Sequence, residues 1–272
     1  INMSKNNKRI KNTKKQLIMM TSFTTLAIIV IITIICVAIN NIESYKIEPR
    51  VDRIESYEKV VKEKNESYSV DGWLRVQGTN IDYPVIFADD SFDVNIDIGD
   101  YVWSIESEDK LLNRTVILGH NIRNVSQTPL IANKEHTRFE QLLSFIYYDF
   151  AKDNQFIQYT KDGKNYIYQI FAVSLIDEYD LPLSGNMSAE DQKKYIEDSI
   201  KNSYFKYDVD VKSDDKIISL ITCTRFYGET KYRFKIDGKL LADNEKTKLR
   251  KVSKNKNYEE IEGIIRGGEE NE

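Results

Sequence analysis

The sequence predicts a mainly β domain of α+β class, a closed or nearly closed β-barrel with peripheral helices, preceded by one N-terminal transmembrane helix. Three observations predict it. Seventeen Tyr and 11 Phe stand against only 4 Pro, a balance that favours strands. Short alternating runs bounded by turn residues recur from residue 68 to residue 242, with helices inserted irregularly rather than in β-α-β alternation. One apolar run, Leu17 to Ile39, carries no charge. At ~1.5 Å per residue it is long enough for the ~30 Å hydrocarbon core of a bilayer.

Residues 1–16 hold Lys5, Lys8, Arg9, Lys11, Lys14 and Lys15 and no acid. The stretch after the apolar run mixes signs through Glu43, Lys46, Glu48, Arg50, Asp52 and Arg53. The positive-inside rule therefore predicts a cytoplasmic segment 1–16 and a signal anchor 17–39 in membrane lipid. It places everything beyond outside the cell membrane. A cleaved signal peptide would have a shorter apolar region and a small-residue cleavage site; Asn40-Asn41-Ile42-Glu43 follows instead. Ser and Thr within the run can bond back to helix carbonyls.

Residues 40–67 read as a stalk and an N-terminal helix, interrupted at Pro49. A folded domain is expected over 68–242. Trp73 to Gln77 alternates like a strand, Gly78-Thr79-Asn80 is turn chemistry, and Ile81 to Ile86 resumes an extended run. Thr115 to Leu118 is a short apolar strand ending at Gly119. Over 138–150, Phe139, Leu142, Leu143, Ile146 and Phe150 fall on one helical face. Gln155 to Thr160 and Asn165 to Val173 form a hairpin across Lys161-Asp162-Gly163-Lys164. Ser188-Ala189-Glu190-Asp191 opens a second helix, with Ile196, Ile200 and Tyr204 as its buried stripe. Lys216 to Thr222 and Lys231 to Leu241 are strands, and 243–272 is a charged, solvated tail, partly helical at most.

A net charge of -4 gives no basic field, so nucleic acid is not an expected partner. Two histidines and scattered acids do not compose a metal cluster. Asp89, Asp90, Asp93, Asp97 and Asp100 lack the spacing of a calcium loop and read as a solvated acidic loop. No metal or cofactor is expected.

Of the two cysteines, Cys36 falls in the apolar run and Cys223 in the outer domain, so they do not pair. A lone thiol in a compartment that oxidises thiols is either buried and inert or a nucleophile. Three strings bear on the choice: Thr115 to Asn121, Ser219 to Cys223 and Lys231 to Lys235. Each meets a predicted strand end. His120 follows an apolar strand and Gly119, a rigid position, and an imidazole moves protons in both halves of an acyl transfer. His136 sits in the polar run Asn133 to Thr137 and reads as a surface residue. Arg233 stays charged and offers fixed donors for a developing oxyanion; a surface arginine is its alternative.

These strings resemble a sortase, specifically of class B. Gly72 to Val85 is similar to the family's first-strand signature, Leu118-Gly119-His120-Asn121 to its histidine motif, and Leu220-Ile221-Thr222-Cys223 to its cysteine motif. Arg233 follows ten residues later, and the resemblance covers roughly 68–242. The helix of 188–204, inserted before the cysteine strand, is what points to class B. Ser219 stands where the family usually has Thr, a departure expected to matter little. Residues 87–110 and 122–137 also depart from the family's pattern. The resemblance implies a sortase-like barrel and a membrane-anchored cysteine transpeptidase of a Gram-positive wall. It implies Cys223 as nucleophile, His120 as general acid/base and Arg233 as oxyanion stabiliser. Leu118, Asn121 and Thr222 are implied substrate-binding residues. Its implied partners are secreted proteins bearing a C-terminal sorting motif, cleaved after Thr, and a cell-wall peptide or lipid-linked precursor amine as acceptor. A pilin polymerase using a lysine acceptor is the alternative within the chemistry. A non-catalytic surface-binding protein on the same fold is the alternative outside it; it predicts a missing catalytic residue.

Overall fold

The structure, a computed structural model, describes residues 14–15, 19–34, 50–64, 68–88, 102–106, 111–121, 138–224, 231–243 and 245–269. The chain divides into two compact units, Ile1–Tyr45 and Lys46–Glu272.

In the first unit, residues 19–34 form a helix, α1, whose large apolar side chains are exposed, among them Met20, Phe23 and Leu26. Thr24, Thr25 and Thr33 donate their hydroxyls to the carbonyls of Met20, Thr21 and Ile29 one turn earlier, at 3.1, 2.9 and 2.8 Å. Among the described residues no helix is both long and apolar enough to cross a membrane. Residues 17, 18 and 35–39 of the predicted span lie outside the described residues, as does Cys36.

The second unit opens with helix α2, Val51–Lys64. Arg50, just before it, pairs with Asp82 at 3.2 Å, and the Trp73 indole donates to the same carboxylate at 2.6 Å. Eight strands then close a barrel in the order β1-β2-β3-β4-β8-β9-β6-β5. They are β1 Tyr68–Val76, β2 Asp82–Ala88, β3 Val102–Ser104, β4 Arg114–Gly119, β5 Phe156–Lys161, β6 Lys164–Asp177, β8 Ile217–Cys223 and β9 Tyr232–Leu240. Two neighbouring pairs, β2–β3 and β4–β8, are parallel, and the rest are antiparallel. The predicted β5–β6 hairpin turns at Asp162-Gly163, both at positive φ (49° and 70°), the backbone that an Asp-Gly two-residue turn supplies. Closure removes the sheet's edges and fills the interior with alternate side chains, including Leu74, Val85, Ile117, Tyr159, Leu220 and Phe234.

Three expectations change. The single helix over 138–150 is a 3₁₀ segment, Glu140–Ile146, followed by helix α3, Tyr148–Asp153, with Tyr147 extended between them. All of Glu140 to Ile146 is buried, so core packing rather than one amphipathic stripe sets its geometry. Helix α4, Ala189–Asn202, starts on Ser188 as expected, whose hydroxyl accepts from Asp191 N at 3.1 Å. Its buried face is Gln192, Tyr195, Ile196 and Ser199, while Ile200 is 44% exposed. Finally, the described part of the charged segment 243–272 is not a solvated tail throughout. Strand β10, Val252–Lys254, pairs with β7, Phe205–Tyr207, in a second small sheet. Helix α5, Lys256–Glu269, follows it, and Val252, Tyr258 and Ile261 are buried in the main core. Those widely spaced apolar residues and the β7–β10 backbone pairing dock a segment that is otherwise charged.

Candidate active site

Register brings the three strings together. In the parallel β4–β8 pair Gly119 stands beside Thr222, so His120, the next residue, is level with Cys223. Cys223 and Arg233 are direct partners in the antiparallel β8–β9 pair. Alternation then sorts the side chains. Ile117, Gly119, Leu220, Thr222, Phe234 and Ile236 face the interior. Leu118, His120, Ile221, Cys223, Arg233 and Lys235 share the outer face. Strand β8 is buried from Ile217 to Thr222 and emerges only at Cys223, which is free and exposed.

Gly119 makes the histidine's position possible. A Cβ there would lie 2.5 Å from Phe139 Cγ and 2.9 Å from Val102 Cγ1. Beyond it, the His120 carbonyl accepts from Phe139 N at 3.1 Å. The imidazole packs on Trp103, with ring centroids 4.9 Å apart and a 55° tilt. Two further bonds join the strand ends. Thr222 Oγ1 donates to the Gly119 carbonyl at 2.7 Å, and Asn121 Nδ2 donates to the Cys223 carbonyl at 2.8 Å. Of the expected substrate-binding residues, Leu118 lies half-buried on the outer face and Asn121 at the strand end beside Cys223. Thr222 is 2% exposed and lies behind the strand, tying β4 to β8.

Arg233 is held by a residue the sequence reading missed. Its Nη2 donates to Glu178 Oε2, and its Nη1 to the Tyr232 carbonyl at 3.1 Å. Glu178 carries no motif; only its place after β6, the far neighbour of β9, would have singled it out.

One step below Cys223 and Arg233 lies a buried charged network, also unforeseen. Asp237 accepts from Lys235 Nζ at 2.5 Å, and from Ser219 and Tyr195 hydroxyls at 2.6 Å each. Lys235 also donates to Ser199 Oγ at 2.7 Å. Arg114, wholly buried, donates to Ser219 Oγ at 3.0 Å and to the Pro182 and Ser184 carbonyls at 2.6 and 3.2 Å. Ser219, expected to be a neutral departure, is therefore the hydroxyl that joins Arg114 to Asp237. Burial pushes the Asp237 carboxyl up, but the Lys235 charge and the donated hydrogen bonds outweigh it and hold the group below its usual range. For Lys235 burial acts downward, and Asp237 and Tyr195 together outweigh it to raise the ammonium. The network fastens α4 and the 182–184 backbone onto the outer face of the barrel. A cleft of about 640 Å³ opens there among Ser174, Ile176, Asp180, Pro182, Tyr195 and Lys235. Cys223, His120 and Arg233 do not line it.

Among the described residues no group of His, Cys, Asp or Glu is arranged to hold a metal. His136 and the acids Asp89, Asp90, Asp93, Asp97 and Asp100 lie outside the described residues.

The arrangement sets a solvent-reached thiol beside an imidazole and a guanidinium on adjacent strand ends, the parts that acyl transfer through a thioester needs. The Sortase domain family model matches residues 74–241. Sortase B of Staphylococcus aureus is 24% identical over 199 residues, covering 70% of this chain and 75% of that protein. Sortase B of Listeria monocytogenes is 26% identical over 181 residues, covering 62% and 69%. The X-ray structure of Clostridium perfringens sortase B aligns with a TM-score of 0.55 at 28% identity, over 68% of this chain and 100% of that one. The chain belongs to the sortase family of cysteine transpeptidases and is similar to its class B members.

Proposed function

We propose that this protein is a membrane-anchored transpeptidase that cleaves a C-terminal sorting signal of secreted proteins after Thr and joins the new carboxyl end to a cell-wall peptide amine. The observation that carries this reading is the shared register of His120, Cys223 and Arg233 on adjacent strands.

Each residue takes one role. The Cys223 sulfur attacks the carbonyl carbon of the signal's Thr. Arg233 stabilises the oxyanion of the tetrahedral intermediate. The scissile C–N bond then breaks, and the thiol's proton passes by way of His120 to the leaving amine. A thioester on Cys223 remains. An acceptor amine attacks it, the C–S bond breaks, and His120 takes the amine's proton and returns it to the sulfur. A Staphylococcus aureus sortase B has been crystallised with its substrate, and a sortase B with triglycine. By that likeness we assign this chain a sorting peptide as donor and a peptide amine as acceptor. The basic segment 1–16 and the apolar run 17–39 support a cytoplasmic N-terminus and an extracytoplasmic catalytic domain.

The test is a cleavage and ligation assay with quenched peptides carrying candidate sorting motifs, with an oligoglycine amine and a pilin lysine peptide as competing acceptors. Ligation to the oligoglycine amine supports the proposal. Ligation to the pilin lysine alone replaces wall anchoring with pilin polymerisation. Cleavage of none of a peptide library overturns it.

A further inference from the structure

We infer that Glu178 is a positioning residue for Arg233, and that through it the connection between β6 and α4 is tied to the oxyanion site. The inference rests on the role proposed above for Arg233.

Glu178 is fixed at its backbone before its side chain acts. Strand β6 ends at Asp177, the register partner of Tyr232. Asp177 Oδ1 accepts from Tyr179 N at 3.1 Å and caps the short turn Glu178–Asp180. Glu178 N donates to the Lys231 carbonyl at 2.9 Å, which extends the β6–β9 ladder by one rung. From this anchored position the carboxylate reaches Arg233 Nη2, while Arg233 Nη1 holds the Tyr232 carbonyl at 3.1 Å. A guanidinium is planar and its donors move together, so these contacts orient the whole fork.

Two further facts favour positioning over plain stabilisation. The Arg233 and Glu178 side chains are 22% and 34% exposed, so the pair stands at the solvent-reached end of β9 rather than in the core. The adjacent acid, Asp177, lies 3.8 Å from a different cation, Lys231. Two neighbouring carboxylates thus face two different cations, and the one on the Cys223 side of β9 is Arg233. Substrate contact with the 178–187 connection would reach the oxyanion donor through this pair.

The experiment measures kcat and KM on a cleaved sorting peptide, with the full 272-residue chain in detergent. Glu178→Gln, which keeps the shape and removes the charge, is expected to lower kcat about tenfold with KM within about twofold. In an Arg233→Lys background, where the fork is gone, the same change is expected to cost less than about twofold. An unchanged kcat in the otherwise wild-type chain overturns the inference. So does an equal loss in both backgrounds, which would mean that Glu178 acts independently of Arg233 or only on folding. If Arg233→Ala cleaves like wild type, the oxyanion reading itself fails. If Arg233→Ala is inactive while Glu178→Gln is unaffected, only this inference fails.

Discussion

Cys223 and Arg233 stand directly opposite each other across the antiparallel β8–β9 pair, at the point where β8 emerges from the core. Directly opposed residues place their Cβ atoms about 4.5–5.5 Å apart on the same side of the sheet. The thiol and the guanidinium therefore stand on one side of the sheet at neighbouring strand ends. This relationship predicts that Arg233→Lys keeps the charge but lowers kcat by about 10²-fold, because a point charge does not replace the fork. Steady-state cleavage kinetics check it.

Asn121 joins the histidine string to the Cys223 backbone through one amide-to-carbonyl bond. Asn121→Ala is expected to cost about 1 kcal/mol of stability, a typical net value for one hydrogen bond. Its effect on kcat should be larger than that loss suggests, about tenfold, because small misplacements of reacting groups are costly. Thermal melts and kinetics on the same preparation separate the two effects.

Gly119→Ala tests the support under His120. The added methyl would collide with Phe139 and Val102. Overpacking of this kind costs about 1–3 kcal/mol. A lowered melting temperature together with reduced turnover is expected, whereas a neutral variant would show that the 119–120 corner is more pliant than its packing indicates.

The Lys235–Asp237 pair gives a stability test. Asp237→Asn leaves a buried ammonium without its counter-charge, and losses of about 3–5 kcal/mol accompany such breaks. The pair also sets a pH dependence. The folded-state pKa of Asp237 lies below its ordinary value of 3.8, so its contribution is complete above that pH and is lost as pH falls through the lower folded value. The folded-state pKa of Lys235 lies above 10.5, so its contribution is complete below that pH and is lost as pH rises through the higher folded value. Urea unfolding followed from neutral pH down to strong acid should show wild type losing more stability than Asp237→Asn over the acid limb.

Much of the site was legible because its residues sit on regular strands. The apolar run before Gly119, the run before Cys223 and the alternation around Arg233 each fix a strand end, and the barrel closes those ends onto one face. What was illegible depends on contacts far apart in sequence. Glu178 and Arg233 are joined only by the β6–β9 pairing. The buried face of α4 is set by polar Gln192, Tyr195 and Ser199, which a hydrophobic stripe does not reveal; two of them meet Lys235. Strand β10 is three residues long and mostly exposed, so its pairing with β7 leaves no periodic signal.

Mass spectrometry of the chain trapped during turnover reads the proposed thioester on Cys223. After incubation with a sorting peptide that is cleaved, and without acceptor amine, an acyl adduct on Cys223 is expected, released by hydroxylamine as a thioester is. Cys223→Ala should form no adduct and cleave nothing. An adduct on another residue, or cleavage by Cys223→Ala at the wild-type rate, would contradict it.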